Sequence, residues 1–149
     1  MSTERYRTTS GHGYRKHPAT CDETRCVYCG EPGDSRDHFL PLKYAHLVSD
    51  ILHVSLLPLK FTVPACQSCN RIANDRVFRS VKGKRAAIQD RLRVKYARLI
   101  ASPDWSDEEL DELGPTLRQY VEGRRDERQR VLARIRFRLG YEIAPLRRR

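Results

Sequence analysis

The sequence has no long apolar run. No stretch of its 149 residues approaches the roughly 20 apolar residues of a membrane-spanning helix. The first residues also lack the apolar segment of a secretory signal. Neither membrane insertion nor secretion is expected, and the expected location is the cytoplasm. Acidic residues are in short supply, with 19 Asp and Glu against 29 Lys and Arg, a formal net charge of +10. Such a balance gives a positive potential that draws in polyanions, nucleic acid foremost, although charge by itself does not separate DNA from RNA or from an anionic membrane. Residues 1–20 lack any core-forming period. With Arg5, Arg7, Arg15, Lys16 and His17 set among Ser, Thr and Gly, the segment 1–23 reads as a basic disordered tail, the alternative being an arm that gains order on a phosphate backbone. His12 and His17 are expected to belong to that tail. The length suits one domain, or a small domain with an extension.

Cysteine is also scarce, with five in all, but four fall in two Cys-x-x-Cys pairs, Cys26 with Cys29 and Cys66 with Cys69. In a reducing compartment such pairs favour metal over disulfide. Two short turns, each offering two sulfurs, suit the tetrahedral four-thiolate site of a structural zinc ion. The metal would close the 36 residues between Cys29 and Cys66 into a loop. Cys21, five residues before Cys26, fits no tight zinc turn. Gly30 eases the backbone around the first pair. A short strand is expected over Arg36–Leu40, presenting Asp37 and His38 and stopped by Pro41. Tyr44, Leu47, Val48, Ile51 and Leu52 recur at helical intervals, with Pro58 as the stop. Phe61-Thr62-Val63 has the β-branched and aromatic character of a second strand. His46 and His53 are expected at the solvent or the core edge. A helix is expected from about Cys69, carrying Asn70 and Asn74 four apart on one face. Two amide oxygens so placed can both face one cation, and oxygen ligands favour magnesium or manganese over zinc. A solvated surface role for Asn74 fits the pattern equally.

These residues resemble a known family. The runs Cys26-Val-Tyr-Cys29-Gly, Asp37-His38-Phe-Leu-Pro41-Leu and Val63-Pro-Ala-Cys66-Gln-Ser-Cys69-Asn70 look like the zinc-containing branch of the HNH endonucleases, whose small freestanding members are common in bacteriophages and bacteria. The resemblance covers about fifty residues. It implies an α+β protein, with a small zinc-stapled ββα-metal domain over 24–80 followed by a mostly helical extension over 81–149. It further implies that Asp37 binds a divalent ion, that His38 is the general base, and that Asn70 is a second ligand to the ion. Two features depart from the pattern. The stretch Lys60-Phe61-Thr62-Val63-Pro64 lacks the Asn that usually orients the base, and Ile72-Ala73-Asn74-Asp75-Arg76 replaces a common Lys-Gly pair.

The implied chemistry is metal-dependent hydrolysis of DNA phosphodiester bonds. An imidazole, with an ordinary pKa of about 6.5, accepts a proton near neutral pH. Magnesium or manganese at Asp37 and Asn70 would offset charge on the breaking P–O bond. The products would carry a 5′-phosphate and a 3′-hydroxyl.

After Ser80 the chain turns helical. Val81, Ile88, Leu92, Tyr96, Leu99 and Ile100 form an apolar stripe flanked by Lys84, Arg85, Arg91, Arg93, Lys95 and Arg98, and Pro103 closes that helix. Ser106 followed by Glu109 is a capping-box signature. Gly114-Pro115 starts a last helix to about Leu139, with an apolar stripe from Leu117, Tyr120, Val121, Val131, Leu132, Ile135 and Leu139, and Gly140 as its stop. Trp105 is expected to join that helical core. Between Thr116 and Arg149 there are eleven Arg against four acidic residues, which predicts a phosphate-tracking face. The expected nucleic-acid contacts are Arg71, Arg76, Arg79, Lys82, Lys84, Arg85, Arg124 and Arg128. The alternative to a nuclease is a catalytically inactive, zinc-stabilised nucleic-acid-binding module. A third reading, a protein adaptor built on a coiled helical hairpin, sits poorly with the basic excess. The sequence leaves monomer and homodimer open.

Overall fold

The structure is a computed structural model and describes residues 13–49 and 56–147, with the side chains of 46–49 left aside. The expectations for His12, Ile51, Leu52, His53 and the last two arginines, and those for the side chains of His46, Leu47 and Val48, therefore lie outside the described residues. The fold is α+β. Three strands, β1 (Arg15–Lys16), β2 (Ser35–His38) and β3 (Phe61–Ala65), form one sheet in the order β1-β3-β2. β2 runs antiparallel to β3, pairing Ser35 with Ala65, Asp37 with Val63 and His38 with Thr62. β1 runs parallel to β3, pairing Arg15 with Phe61. Pro64 donates nothing to the ladder, but its carbonyl accepts from Val27 N at 3.1 Å, which ties the first cysteine turn to the sheet. A 3-10 helix covers Leu42–Ser49.

Among the described residues, five α-helices follow. They are α1 (Gln67–Ala73), α2 (Val81–Lys95), α3 (Ala97–Ile100), α4 (Asp107–Asp111) and α5 (Pro115–Arg136). Ser80 caps α2 by accepting from Gly83 N. The capping box of Ser106 and Glu109 is formed at α4, and Pro115 stands in the first turn of α5. The single helix expected up to Pro103 is two, because Tyr96 leaves helical geometry between α2 and α3. α5 stops at Arg136, where Phe137 turns extended. Leu117 and Tyr120, expected in the stripe of α5, are exposed, while Val121, Val131 and Ile135 are buried.

One apolar cluster joins Tyr28, Phe39, Phe61 and Val63 to Val81, Ile88 and Leu92 of α2, Leu99 of α3, Val131 and Ile135 of α5, and Ile143. Each such side chain, fully buried, contributes about 1.5–3 kcal/mol. The sequence boundary at residue 80 therefore does not divide the core. Nor is 1–23 a tail throughout. Tyr14, His17 and Thr20 are buried, and β1 extends the sheet. His17 packs edge-on against Phe61 and its Nε2 lies 2.7 Å from Ala144 O. The tail reading missed that Tyr14 has an apolar ring that can be buried while its hydroxyl bonds a carbonyl.

Candidate metal centre and adjoining cleft

The four cysteines of the two pairs meet. Cys26, Cys29, Cys66 and Cys69 are buried, and their sulfurs lie within 4.8 Å of one another. Cys29 Sγ and Cys66 Sγ are 3.7 Å apart. That is far beyond a disulfide bond of about 2.05 Å, and it matches the edge of a sulfur tetrahedron around an ion bound at about 2.3 Å, which is about 3.8 Å. The cluster therefore fits a structural metal such as zinc. Local backbone sets it up. Cys26 N donates to Glu31 O at 2.7 Å and Gly30 N to Cys26 O at 3.0 Å, while Cys66 Sγ caps α1 by accepting from Cys69 N. Gly30 sits at φ +77°, and a Cβ there would meet the Phe137 ring at 2.5 Å, so glycine is required twice over. Hydrogen bonds among the four thiols hold Cys29 and Cys66 below the ordinary thiol range and Cys26 and Cys69 above it. Arg134 of α5 reaches the centre, with Nη2 3.9 Å from Cys69 Sγ and 3.1 Å from Ser68 Oγ. With a divalent ion bound, its charge would offset the excess negative charge of four thiolates. Cys21 is exposed and lies apart from the cluster.

Beside this centre, Asp37, His38, Asn70 and Asn74 line one open cleft of about 300 Å³, together with Lys43 and Asp75. β2 delivers the first two residues and α1 the third. Asn74 is not on the helical face with Asn70. It caps α1 at φ +47°, and its N–H donates to Asn70 O at 3.2 Å. The turn nonetheless leaves it in the cleft wall.

Asp37 is almost wholly buried. Its Oδ2 accepts from the Tyr28 hydroxyl and lies 2.6 Å from Lys84 Nζ, itself 0% exposed. Burial, and then the Asp37 charge, push the Tyr28 phenol well above its ordinary pKa, so the hydroxyl stays a donor. Asn70 Nδ2 reaches Arg36 O at 3.4 Å, which assigns its amide oxygen as the remaining acceptor. Among the described residues, Asp37 Oδ1 and Asn70 Oδ1 thus remain for a hard cation, one carboxylate and one amide oxygen. Magnesium commonly accepts so few protein ligands and completes its shell with water and substrate phosphate. Lys43 and Asp75 pair at 2.9 Å on the rim.

His38 stands edge-on to Tyr14, with ring centroids 4.8 Å apart and planes at 89°. Tyr14 is itself fixed by donating to Leu40 O at 2.6 Å. Burial, with help from the Asp37 charge, raises the Tyr14 phenol to about 12. The aromatic ring thus packs on the imidazole of a chain that lacks the upstream Asn, and the residue opposite His38 in the ladder is Thr62.

Comparison with protein-family models, with curated proteins and with solved structures found no match.

The expected nucleic-acid contacts divide. Arg71, Arg76 and Arg79 are exposed and follow the cleft residues in sequence. Lys82 is exposed and pairs with Glu142 at 3.4 Å. Lys84 and Arg85 are not surface cations. Both are buried, Lys84 against Asp37 and Arg85 with Nε on Val27 O at 2.9 Å. Their positions gave a signal, since Val81, Lys84, Arg85, Ile88, Gln89 and Leu92 share the buried stripe of α2. Arg124 and Arg128 have acidic partners, Glu127 at 3.2 Å and Asp104 at 3.3 Å. The phosphate-tracking face expected between Thr116 and Arg149 is therefore neutralised in part. Arg118 pairs with Asp111 and Glu122, and Arg125 with Asp107. The balance within α5 omitted the acids of residues 104–112, which the fold lays alongside. Trp105 and the exposed Leu117 and Tyr120 line an apolar groove with Arg124 and Arg125. Among the described residues no helix is long and apolar enough to cross a membrane.

Proposed function

We propose that the chain is a metal-dependent endonuclease of the HNH type that hydrolyses phosphodiester bonds in DNA. One observation carries the reading, the convergence of Asp37, His38 and Asn70 on a single open cleft beside a four-cysteine centre. His38 takes a proton from the attacking water as general base. The Tyr14 ring positions the imidazole. Asp37 and Asn70 would hold magnesium or manganese through one oxygen each. The ion, when bound, supplies electrostatic stabilisation to the phosphoryl oxygens and the leaving 3′-oxygen. The buried Lys84 ammonium and the Tyr28 hydroxyl fix the Asp37 carboxylate. The net charge of +10 and the exposed Arg71, Arg76 and Arg79 favour a nucleic-acid substrate. Four thiolates and zinc hold the cleft walls together and take no part in the chemistry.

The Lys84 contact also favours a second reading. A carboxylate already neutralised by an ammonium at 2.6 Å attracts a divalent ion less, as in an inactive nucleic-acid-binding module with the same frame. Plasmid cleavage decides between them. Purified protein and His38→Ala are assayed with magnesium, manganese or EDTA, with zinc content and DNA binding measured on both. Cleavage that requires added metal and vanishes in a folded, DNA-bound His38→Ala protein supports the nuclease. Binding by both proteins without cleavage of any DNA or RNA substrate favours the module.

A further inference from the structure

On α2, away from the Asp37 carboxylate, Lys82, Arg85, Ala86 and Gln89 form one wall of a second cavity of about 370 Å³, closed on the other side by Arg138, Leu139, Tyr141 and Glu142. Three cations and one carboxylate line it. Arg85 is only 7% exposed. Of its five N–H donors, Nε is used on Val27 O, and among the described residues its terminal nitrogens make no protein hydrogen bond and stay within reach of solvent. Burial, and then the Arg138 guanidinium, push its pKa below the ordinary arginine value, so two like charges are held near each other in a partly desolvated place. The arrangement is rigid. Gln89, 2% exposed, donates to Phe137 O at 2.9 Å and accepts from Arg138 Nη1 at 2.9 Å. That contact, together with the bond from Arg138 Nη1 to Phe137 O at 2.8 Å, fixes the second guanidinium at the end of α5. The sole acid, Glu142, is exposed and reaches Lys82 only at 3.4 Å.

A buried guanidinium with unused forked donors, a second guanidinium braced by a buried amide, and a lysine at the rim are the elements of an oxyanion receptor. The geometry points to a binding site for a tetrahedral phosphate group in this cavity, with Arg85 and Arg138 as the forked donors and Lys82 as the outer charge. The phosphate belongs either to a nucleic-acid strand or to a small phosphorylated molecule. Phosphate oxygens supply acceptors that no described residue gives the terminal nitrogens of Arg85 and relieve the repulsion between the guanidiniums. The site is separate from the cleft of Asp37 and His38 and does not depend on the nuclease reading.

The test is titration of the zinc-loaded full chain with orthophosphate, read by the arginine side-chain NMR signals and by calorimetry. Parallel titrations use a mononucleotide and 5′-phosphorylated and unphosphorylated oligonucleotides. Variants are Arg138→Gln and Lys82→Gln, both at exposed positions, with the exposed Arg98→Gln as a charge-matched control. Orthophosphate should move the Arg85 Nε signal. Loss of one charge-assisted contact should weaken binding roughly tenfold in Arg138→Gln, less in Lys82→Gln, and not measurably in Arg98→Gln. Tighter binding of oligonucleotides than of the mononucleotide, lost in the same variants, assigns the phosphate to a nucleic-acid strand, and the reverse order assigns a small molecule. The inference is overturned if orthophosphate leaves Arg85 unmoved, or if Arg98→Gln loses as much affinity as Arg138→Gln. Plasmid cleavage by a protein that fails this test would leave the nuclease reading intact.

Discussion

Replacing Lys84 by methionine is expected to be among the most damaging single changes in this protein. The ammonium lies 2.6 Å from Asp37 Oδ2, with side-chain exposures of 0% and 5%. At that distance two unit charges attract by about 6 kcal/mol at an effective dielectric of about 20, and removing both ions from water cancels much of that gain. The net worth of the pair is therefore small, but the worth of each partner to the other is not. Lys84→Met leaves a buried carboxylate with only the Tyr28 hydroxyl for company, a loss of about 3–5 kcal/mol. Asp37→Asn strands the ammonium among the rings of Tyr28, Phe39 and Phe78, which lie 5.2–5.9 Å from it, with a loss of similar size. The double variant has no stranded charge. Its loss should fall short of the sum of the single losses by at least about 2 kcal/mol. Urea denaturation of the four proteins at equal zinc content measures the cycle. Single losses below about 1 kcal/mol, or additive losses, would refute a pair that is buried and mutually dependent.

Three further outcomes follow from the same structure. Purified protein should carry close to one zinc per chain by mass spectrometry of metals, and Cys29→Ser or Cys69→Ser should lose the ion together with cooperative unfolding; acidification should release it, because protons compete for thiolates. Tyr14, raised from 10 to about 12 in the fold, favours the folded state fully below pH 10 by about 2 kcal/mol, and that contribution fades as pH rises from 10 through 12; the stability gap between the wild type and Tyr14→Phe should therefore narrow over that interval in denaturation curves. Gly30→Ala should lower stability by about 2–4 kcal/mol, since it adds a left-handed backbone penalty to a clash with the Phe137 ring, and a thermal melt within 2 °C of the wild type, roughly the shift expected of about 0.5 kcal/mol or less, would contradict that placement.

Much of the frame was legible because it rests on local chemistry. Two Cys-x-x-Cys turns, the β-branched run at Phe61, the capping box at Ser106 and Pro115 after Gly114 each state their structure within a few residues. The cleft was legible only in part. Asp37, His38 and Asn70 meet in one cleft, but what surrounds them comes from far along the chain. Tyr14 was read as tail because its neighbours are polar, yet one ring and one hydroxyl suffice to anchor it between His38 and Leu40 O. Lys84 and Arg85 were placed among exposed cations because charge usually means surface. The period of α2 places them inward, and only the fold supplies the carboxylate and carbonyl that make this tolerable. The arginines of α5 misled for the opposite reason, since three of their counter-charges, Asp104, Asp107 and Asp111, lie in a separate segment around α4.

The cysteine centre sits at the open end of the β2–β3 pair, where Ser35 faces Ala65, while the chain joining the strands is more than twenty residues long. An ordinary hairpin takes its register from a tight turn and zips outward. Here the cluster of Cys29 and Cys66 holds the strand ends at Ser35 and Ala65, and the ladder runs from there to His38 and on to the bonds from Phe39 N to Phe61 O and Leu40 N to Leu59 O. The connecting segment is relieved of setting the register, and because closure entropy grows only with the logarithm of loop length, residues can be added to or removed from it with little effect on how the strands align. In this protein the place to lengthen the chain is the middle of its own hairpin.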